Sequence, residues 1–319
     1  MRLVTLRASG CATPGGVLSS GEVVDLRAAA RPGTLETLIP PSMRALLAAG
    51  PEGLDIVRRL IDRVEAVGSD EMHSLRARGQ VLAADAPRTA PVPDPRLILS
   101  VGQAYHSHVA EMRGGPPSEP HGFLKAPSAV TGPDADIVLP RDYPDNVDFE
   151  GELCAVIGRT CHDVSEEDAM ACVAGYTVTN DVSARDWVHL IGKAETTAEA
   201  RTAWDLVHMG KQFPGFSPLG PALVTTDEIA DPMRLDLETR VNGAVMQSAN
   251  TSDLIFTIAQ VIAYFSRWYR LSPGDIISTG TPGGVGFARD PQVLLGHGDV
   301  VEVEVTGVGL LRNRFVRAA

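Results

Sequence analysis

Two glutamates spaced two apart at the mouth of an apolar strand constrain this chain more than any other feature. In Val147-Asp148-Phe149-Glu150-Gly151-Glu152-Leu153-Cys154-Ala155-Val156-Ile157-Gly158, everything between Glu152 and Gly158 is apolar. Successive strand residues face opposite ways, so Glu150 and Glu152 share a face with Cys154 and Val156. The two carboxylates sit about 7 Å apart along the strand. Burying both as anions is costly unless a cation lies between them, and a divalent metal with oxygen ligands answers that cost. The chain carries its own control in Val300-Val301-Glu302-Val303-Glu304-Val305-Thr306. There the glutamates share a face with Thr306, and Val301, Val303 and Val305 take the other, the pattern of a half-solvated strand. Glu302 and Glu304 are expected to be wet.

A third oxygen ligand is wanted. Ser165 caps the start of a short helix, and Glu166, Glu167 and Asp168 in its first turn suit the helix dipole. Ala174 to Thr179 reads as a returning strand that ends at Asn180-Asp181, which makes Asp181 the better partner for Glu150 and Glu152. An aspartate at a strand end is also a common turn former, and spacing alone leaves both readings open.

At 319 residues the chain has length for one large domain or two. A formal net charge of -12 and a pI near 5.1 argue against nucleic acid or an anionic membrane as partner. Cys11, Cys154, Cys161 and Cys172 show no metal or redox spacing and are expected as free thiols of a reducing compartment. No basic and apolar leader is visible. The longest apolar stretch, Leu254 to Phe265, is broken by Thr257 and Gln260 and is too short to cross a bilayer. The expected location is cytoplasmic.

Residues 1–94 read as a small α+β unit, with strands at Leu3 to Leu6 and Val23 to Leu26 and helical spacing over Pro41 to Ala49 and Leu54 to Val67. Pro87, Pro91, Pro93 and Pro95 make its end a linker, and residues 95–319 are the expected catalytic domain. Many short strands with few helices favour an α+β, mainly β class. Asn242-Gly243 is a hairpin turn, and Ser252-Asp253 is expected to cap a helix running to Arg267. His108 and Glu111, three apart on a helical segment, are neighbours on one face. That pair is a solvated ion pair as readily as a general base oriented by a carboxylate. The Gly280 to Gly286 turn follows a strand but lacks the Gly-Lys-Ser/Thr ending of a phosphate loop.

Phe123-Leu124-Lys125, Asp148 to Glu152, Asn180-Asp181-Val182-Ser183-Ala184-Arg185-Asp186, Gly210-Lys211-Gln212-Phe213 and Thr279 to Gly286 occur in the order seen in the fumarylacetoacetate hydrolase family. The chain resembles that family from about Leu97 to its C-terminus. The resemblance implies a mixed β-sandwich roll, usually a homodimer, and Mg²⁺ or Mn²⁺ held by Glu150, Glu152 and Asp181, with Ca²⁺ able to take the same oxygens in a crystal. It implies that the segment Gly102 to Glu111, with Ala104 where asparagine is usual, is a lid carrying the His108 and Glu111 dyad, with Tyr105 as a substrate contact. Lys125 and Lys211 are implied as active-site cations, and Arg185 and Thr281 as substrate contacts. Val188 stands where glutamine is frequent and Pro214 where aspartate is usual, and Lys193 to Ala203 looks like a partly helical insertion.

The expected activity is therefore metal-dependent hydrolysis of a carbon–carbon bond in a 1,3-diketo acid such as an acylpyruvate, fumarylpyruvate or fumarylacetoacetate. Family relatives suggest alternatives on the same kind of substrate: decarboxylation of oxaloacetate, or isomerisation or hydration of 2-oxo-dienoates. A protein that binds metal for structure alone is the reading from another class, and the open ligand positions beside His108 argue against it.

Overall fold

The computed structural model describes residues 1–8 and 11–318, with the side chains of Ala8 and Cys11 outside the description. The expected Cys11 thiol thus lies outside the described residues. Among these residues the strands form a 12-stranded sheet, a 5-stranded sheet and a 2-stranded pair. This is the mixed, mainly β architecture expected.

The strand Gly151–Ile157 lies near the middle of the large sheet, antiparallel to Val173–Asn180 on one side and to Ile276–Ser278 on the other. It is buried along its whole length, and its alternation divides two cores. Cys154 and Val156 pack with Leu3, Leu46, Val57 and Leu60 of the N-terminal region. Leu153, Ala155 and Ile157 pack with Val301, Val303, Val305 and Phe315 of the small sheet. Apolar residues on both faces suit a strand covered on both sides. The control strand, Val300–Val305, is covered on one side only: Val301, Val303 and Val305 are buried, while the Glu302 and Glu304 side chains are 25% and 48% exposed.

The strands expected in the N-terminal unit are present as Arg2–Ala8 and Val23–Asp25, and its helices as Met43–Ala48 and Gly50–Glu65. They do not make a sheet of their own. Leu3 pairs with Leu223 and Arg2 with Val224, so the large sheet continues across residue 94. The helix expected from Ser252 begins later. Asn250 caps a single tight turn, Thr251–Asp253, and the helix Ile258–Ser266 starts at a capping box between Thr257 and Gln260. The hairpin at Asn242-Gly243 joins Asp236–Val241 to Ala244–Asn250 as expected. Lys193 to Ala203 leads into the helix Thr197–Met209, opened by a capping box between Thr196 and Glu199. No helix among the described residues is long and apolar enough to cross a membrane. Cys154, Cys161 and Cys172 are buried free thiols.

Candidate active site

The antiparallel register brings the three acids together. Gly151 pairs with Asn180 and Glu152 with Thr179, which leaves Asp181 beside Glu150. Asp181 N donates to Glu150 O at 2.8 Å, and Glu150 N donates to the Asn180 side chain at 2.8 Å. One carboxylate oxygen from each of Glu150, Glu152 and Asp181 lies within 4.8 Å of the others, and all three residues are buried. A set of oxygen donors only, drawn from three carboxylates on one side, fits a hard cation such as Mg²⁺ or Mn²⁺.

The charges around them are unequal. Lys211 Nζ bridges Glu150 at 2.6 Å and Asp181 at 2.8 Å, and Arg185 reaches Glu150 at 2.5 Å. Burial alone would raise the Glu150 pKa, but Lys211 and Arg185 outweigh it and hold this carboxyl well below its ordinary range. Glu152 is in the opposite state. Its partners are the Ser278 hydroxyl and Gly280 N, with no cation, so burial and then the neighbouring Asp181 and Glu150 charges push it up. Lys125 bonds Asp181 and donates to Phe216 O at 2.7 Å, but its burial lowers its pKa. Lys211, equally buried, is raised because its two carboxylates overcome desolvation.

Helix His106–Glu111 sets the dyad over these acids. His108 Nδ1 lies 2.7 Å from Glu111 Oε1, which leaves Nε2 for the cavity. The segment is pinned to the Gly-rich turn: Gly284 N donates to Glu111 at 2.7 Å and Gly283 N to Ser107 Oγ at 3.2 Å. A cavity of about 350 Å³ is lined by the three acids together with His108, Arg185, Lys211 and Thr281. Phe123, Val188 and Ile191 also line it, as do Trp204, Val207 and His208 of the helix Thr197–Met209.

Three sequence-selected residues do not line that cavity. Lys125 stands behind Asp181, and Glu111 behind His108. Tyr105, expected to touch substrate, is fully buried in the larger core with its hydroxyl unpartnered. Sequence reasoning passed over three others. Asp148 accepts from Arg185 and from the backbone of Phe149, Gly286 and Phe287. Gln247 accepts from Gly151 N at 3.0 Å and donates to Thr281 Oγ1 at 2.7 Å and Pro282 O at 2.9 Å. Ser278 holds Glu152. Of these only Asp148 carried a signal, two residues before Glu150 in the same strand run.

Three buried carboxylates clustered within 4.8 Å, with His108 lining the same cavity, make a candidate metal centre. The profile of the fumarylacetoacetate (FAA) hydrolase C-terminal family matches residues 97–316, and the chain belongs to that family. It is 40% identical over 320 residues to the mitochondrial oxaloacetate tautomerase FAHD2A of Bos taurus, covering 99% of this chain and 92% of the relative. Among solved structures it resembles the fumarylacetoacetate hydrolase of Exiguobacterium antarcticum, with TM-score 0.77 and 30% identity over the whole of both chains. It also resembles the maleylpyruvate hydrolase of Sphingobium sp. SYK-6 in complex with manganese(II) and pyruvate, with TM-score 0.72, 28% identity and full coverage of both. The expectation of a cytoplasmic location is corrected here, because the bovine relative and its human counterparts are mitochondrial proteins. Relatives of this family act on small keto acids, and the chain is an enzyme of that kind.

Proposed function

We propose that this enzyme interconverts the enol and keto forms of oxaloacetate, using a divalent cation. The observation that carries the reading is that His108 faces Glu150, Glu152 and Asp181 across one cavity, in a chain 40% identical over 99% of its length to an oxaloacetate tautomerase. Glu150, Glu152 and Asp181 would hold Mg²⁺ or Mn²⁺, which when bound supplies Lewis acidity toward the 2-oxo and carboxylate oxygens of a substrate. The remaining work belongs to side chains. Glu111 accepts the Nδ1 proton of His108 and fixes the tautomer, so that Nε2 takes the proton from the enol hydroxyl and delivers it to the substrate C3 in one direction, and carries it from C3 back to the 2-oxo oxygen in the other. Lys211 and Arg185 offset negative charge in the cavity, and Thr281, whose hydroxyl accepts from Gln247 at 2.7 Å and donates to Gly151 O at 3.0 Å, lines the same cavity.

Hydrolysis of a 1,3-diketo acid is the second reading, supported by the likeness to a maleylpyruvate hydrolase. In it His108 takes a proton from water instead of carbon. One experiment separates the two. Chelator-stripped protein, with and without Mn²⁺, is given enol-oxaloacetate, acetylpyruvate and fumarylpyruvate, and the loss of each absorbance is followed beside Glu150→Gln. Metal-restored enol loss without pyruvate release supports the tautomerase. Cleavage of either diketo acid with little effect on oxaloacetate overturns it in favour of the hydrolase.

A further inference from the structure

A second cleft, of about 480 Å³, opens where the first 94 residues meet the rest of the chain, and it shares no lining residue with the catalytic cavity. Three arginines face it, Arg44 from the helix Met43–Ala48, Arg96 just past the proline-rich crossing, and Arg270 beyond the helix Ile258–Ser266. Ser42, Thr160 and Ser272 add hydroxyl groups. Two acids lie near this wall. Asp94 pairs with Arg44 at 3.0 Å and offsets that charge, and the buried Asp275, which accepts from Leu97 N at 3.1 Å and Ser272 N at 2.7 Å, feels the Arg96 charge without bonding its guanidinium. Among the described residues, the Arg96 and Arg270 guanidinium groups have neither an ion pair nor a hydrogen bond.

Arg44 is held in place. Its Nη1 also donates to Asp94 O at 2.8 Å, and its stem crosses Gly274, where a Cβ would collide with Arg44 Cγ. Gly274 has φ +86 and so suits glycine on two counts. One positioned guanidinium therefore faces two unpaired ones across a cleft edged with hydroxyl donors.

We propose that this cleft binds an oxyanion carrying two or more negative charges, either a phosphate or a di- or tricarboxylate. The guanidinium fork matches carboxylate and phosphate oxygens two at a time. A multiply charged ligand is required because a single exposed ion pair gains little, whereas one anion shared between the unpaired Arg96 and Arg270 guanidinium groups, with Arg44 beside them, sums more than one such gain. Bound there, the anion ties Arg44 of the N-terminal unit to Arg96 and Arg270 of the family domain.

Calorimetry and thermal melting of metal-stripped full-length protein with inorganic phosphate and with citrate, against sodium chloride of equal ionic strength, test this. At a hundredfold excess over Kd, a specific ligand raises the melting midpoint by about 5 °C. The Arg96→Ala/Arg270→Ala double variant should lose that rise and keep the unliganded midpoint, since both side chains are exposed. Glu150→Gln should keep the rise, which separates this cleft from the catalytic cavity. A response to phosphate alone identifies a phosphorylated ligand and a response to citrate alone a polycarboxylate. A rise no larger than with chloride, or one that survives in the double variant, overturns the proposal.

Discussion

Arg185 donates to a single Asp148 oxygen from both Nε and Nη2, at 3.0 and 2.8 Å. The same Nη2 reaches Glu150, so a glutamate that lines the cavity is positioned through a carboxylate that does not. Asp148 is fully buried, and burial raises its pKa against the opposing pull of Arg185. Asp148→Asn would leave the guanidinium with one anionic partner and weaken its hold on Gly286 N and Phe287 N. Breaking a buried pair of this kind costs about 3–5 kcal/mol. Urea unfolding should show that loss, and a change below about 1 kcal/mol would mean that Glu150 alone holds Arg185.

His108→Asn should lower the rate of enol loss by about 10²- to 10⁴-fold. Mn²⁺ affinity should stay unchanged, because His108 is not among the three clustered acids. Glu111→Gln keeps an acceptor for Gly284 N but can present an amide to Nδ1, so it should fall between wild type and His108→Asn. Single-turnover kinetics with metal titration checks both. A His108→Asn variant that loses metal instead of rate would contradict the proton-transfer role.

Glu152 gives the metal site a pH dependence. Burial, with the Asp181 and Glu150 charges behind it, pushes this carboxyl up to about 8 in the metal-free protein. A group raised in the folded state contributes stability that is fully present below its unfolded value, 4.5, and is lost as pH rises through the folded one. Metal-free protein should therefore lose part of its stability between those limits. Over the same window an entering cation must displace the proton, so apparent affinity should rise with pH by up to about tenfold per unit and level off above it. Calorimetry of Mn²⁺ binding in two buffers of different ionisation enthalpy reads the released proton. Binding that is independent of pH from 6 to 8 would remove Glu152 from the ligand set.

The acids were legible in the sequence because two local patterns met: an alternation that put Glu150 and Glu152 on one face, and a strand end that put Asp181 at the return. The contrast with Glu302 and Glu304 was legible for the same reason. Lys125, Arg185 and Lys211, which bond Glu150 and Asp181, came with the family resemblance. Ser278, which holds Glu152, and Gln247, which holds the backbone of Gly151 between the glutamates, did not: they come from strands about a hundred residues away, and no local period encodes which distant strand lies alongside. Tyr105 shows the reverse failure, since a position in a motif says nothing of which way the ring turns. The Ser252 cap failed because Thr257 and Gln260 offered a stronger one five residues later. The division after residue 94 followed a real change in composition, but strand pairing ignores composition, and Leu3 found Leu223 across it.

Gly151, between the two glutamates, packs directly against the small sheet. A Cβ there would overlap the Thr239 hydroxyl and meet Val303 Cγ1 at 2.9 Å. Both neighbours belong to the small sheet, in strands already paired with each other, so neither can move without disturbing that pairing. Gly151→Ala should therefore cost about 1–3 kcal/mol through overpacking. It should also weaken Mn²⁺ binding, because relief by sliding the strand outward shifts Glu150 and Glu152 together and strains the Gly151 N bond to Gln247. Thr239→Ser leaves the hydroxyl in place and should not rescue the variant, whereas Thr239→Gly removes the obstructing group and should restore part of the metal affinity. If Gly151→Ala bound Mn²⁺ as wild type does while losing stability, the two glutamates would be held by Arg185, Lys211 and Ser278 alone, and the spacing between the sheets would have no part in setting the site.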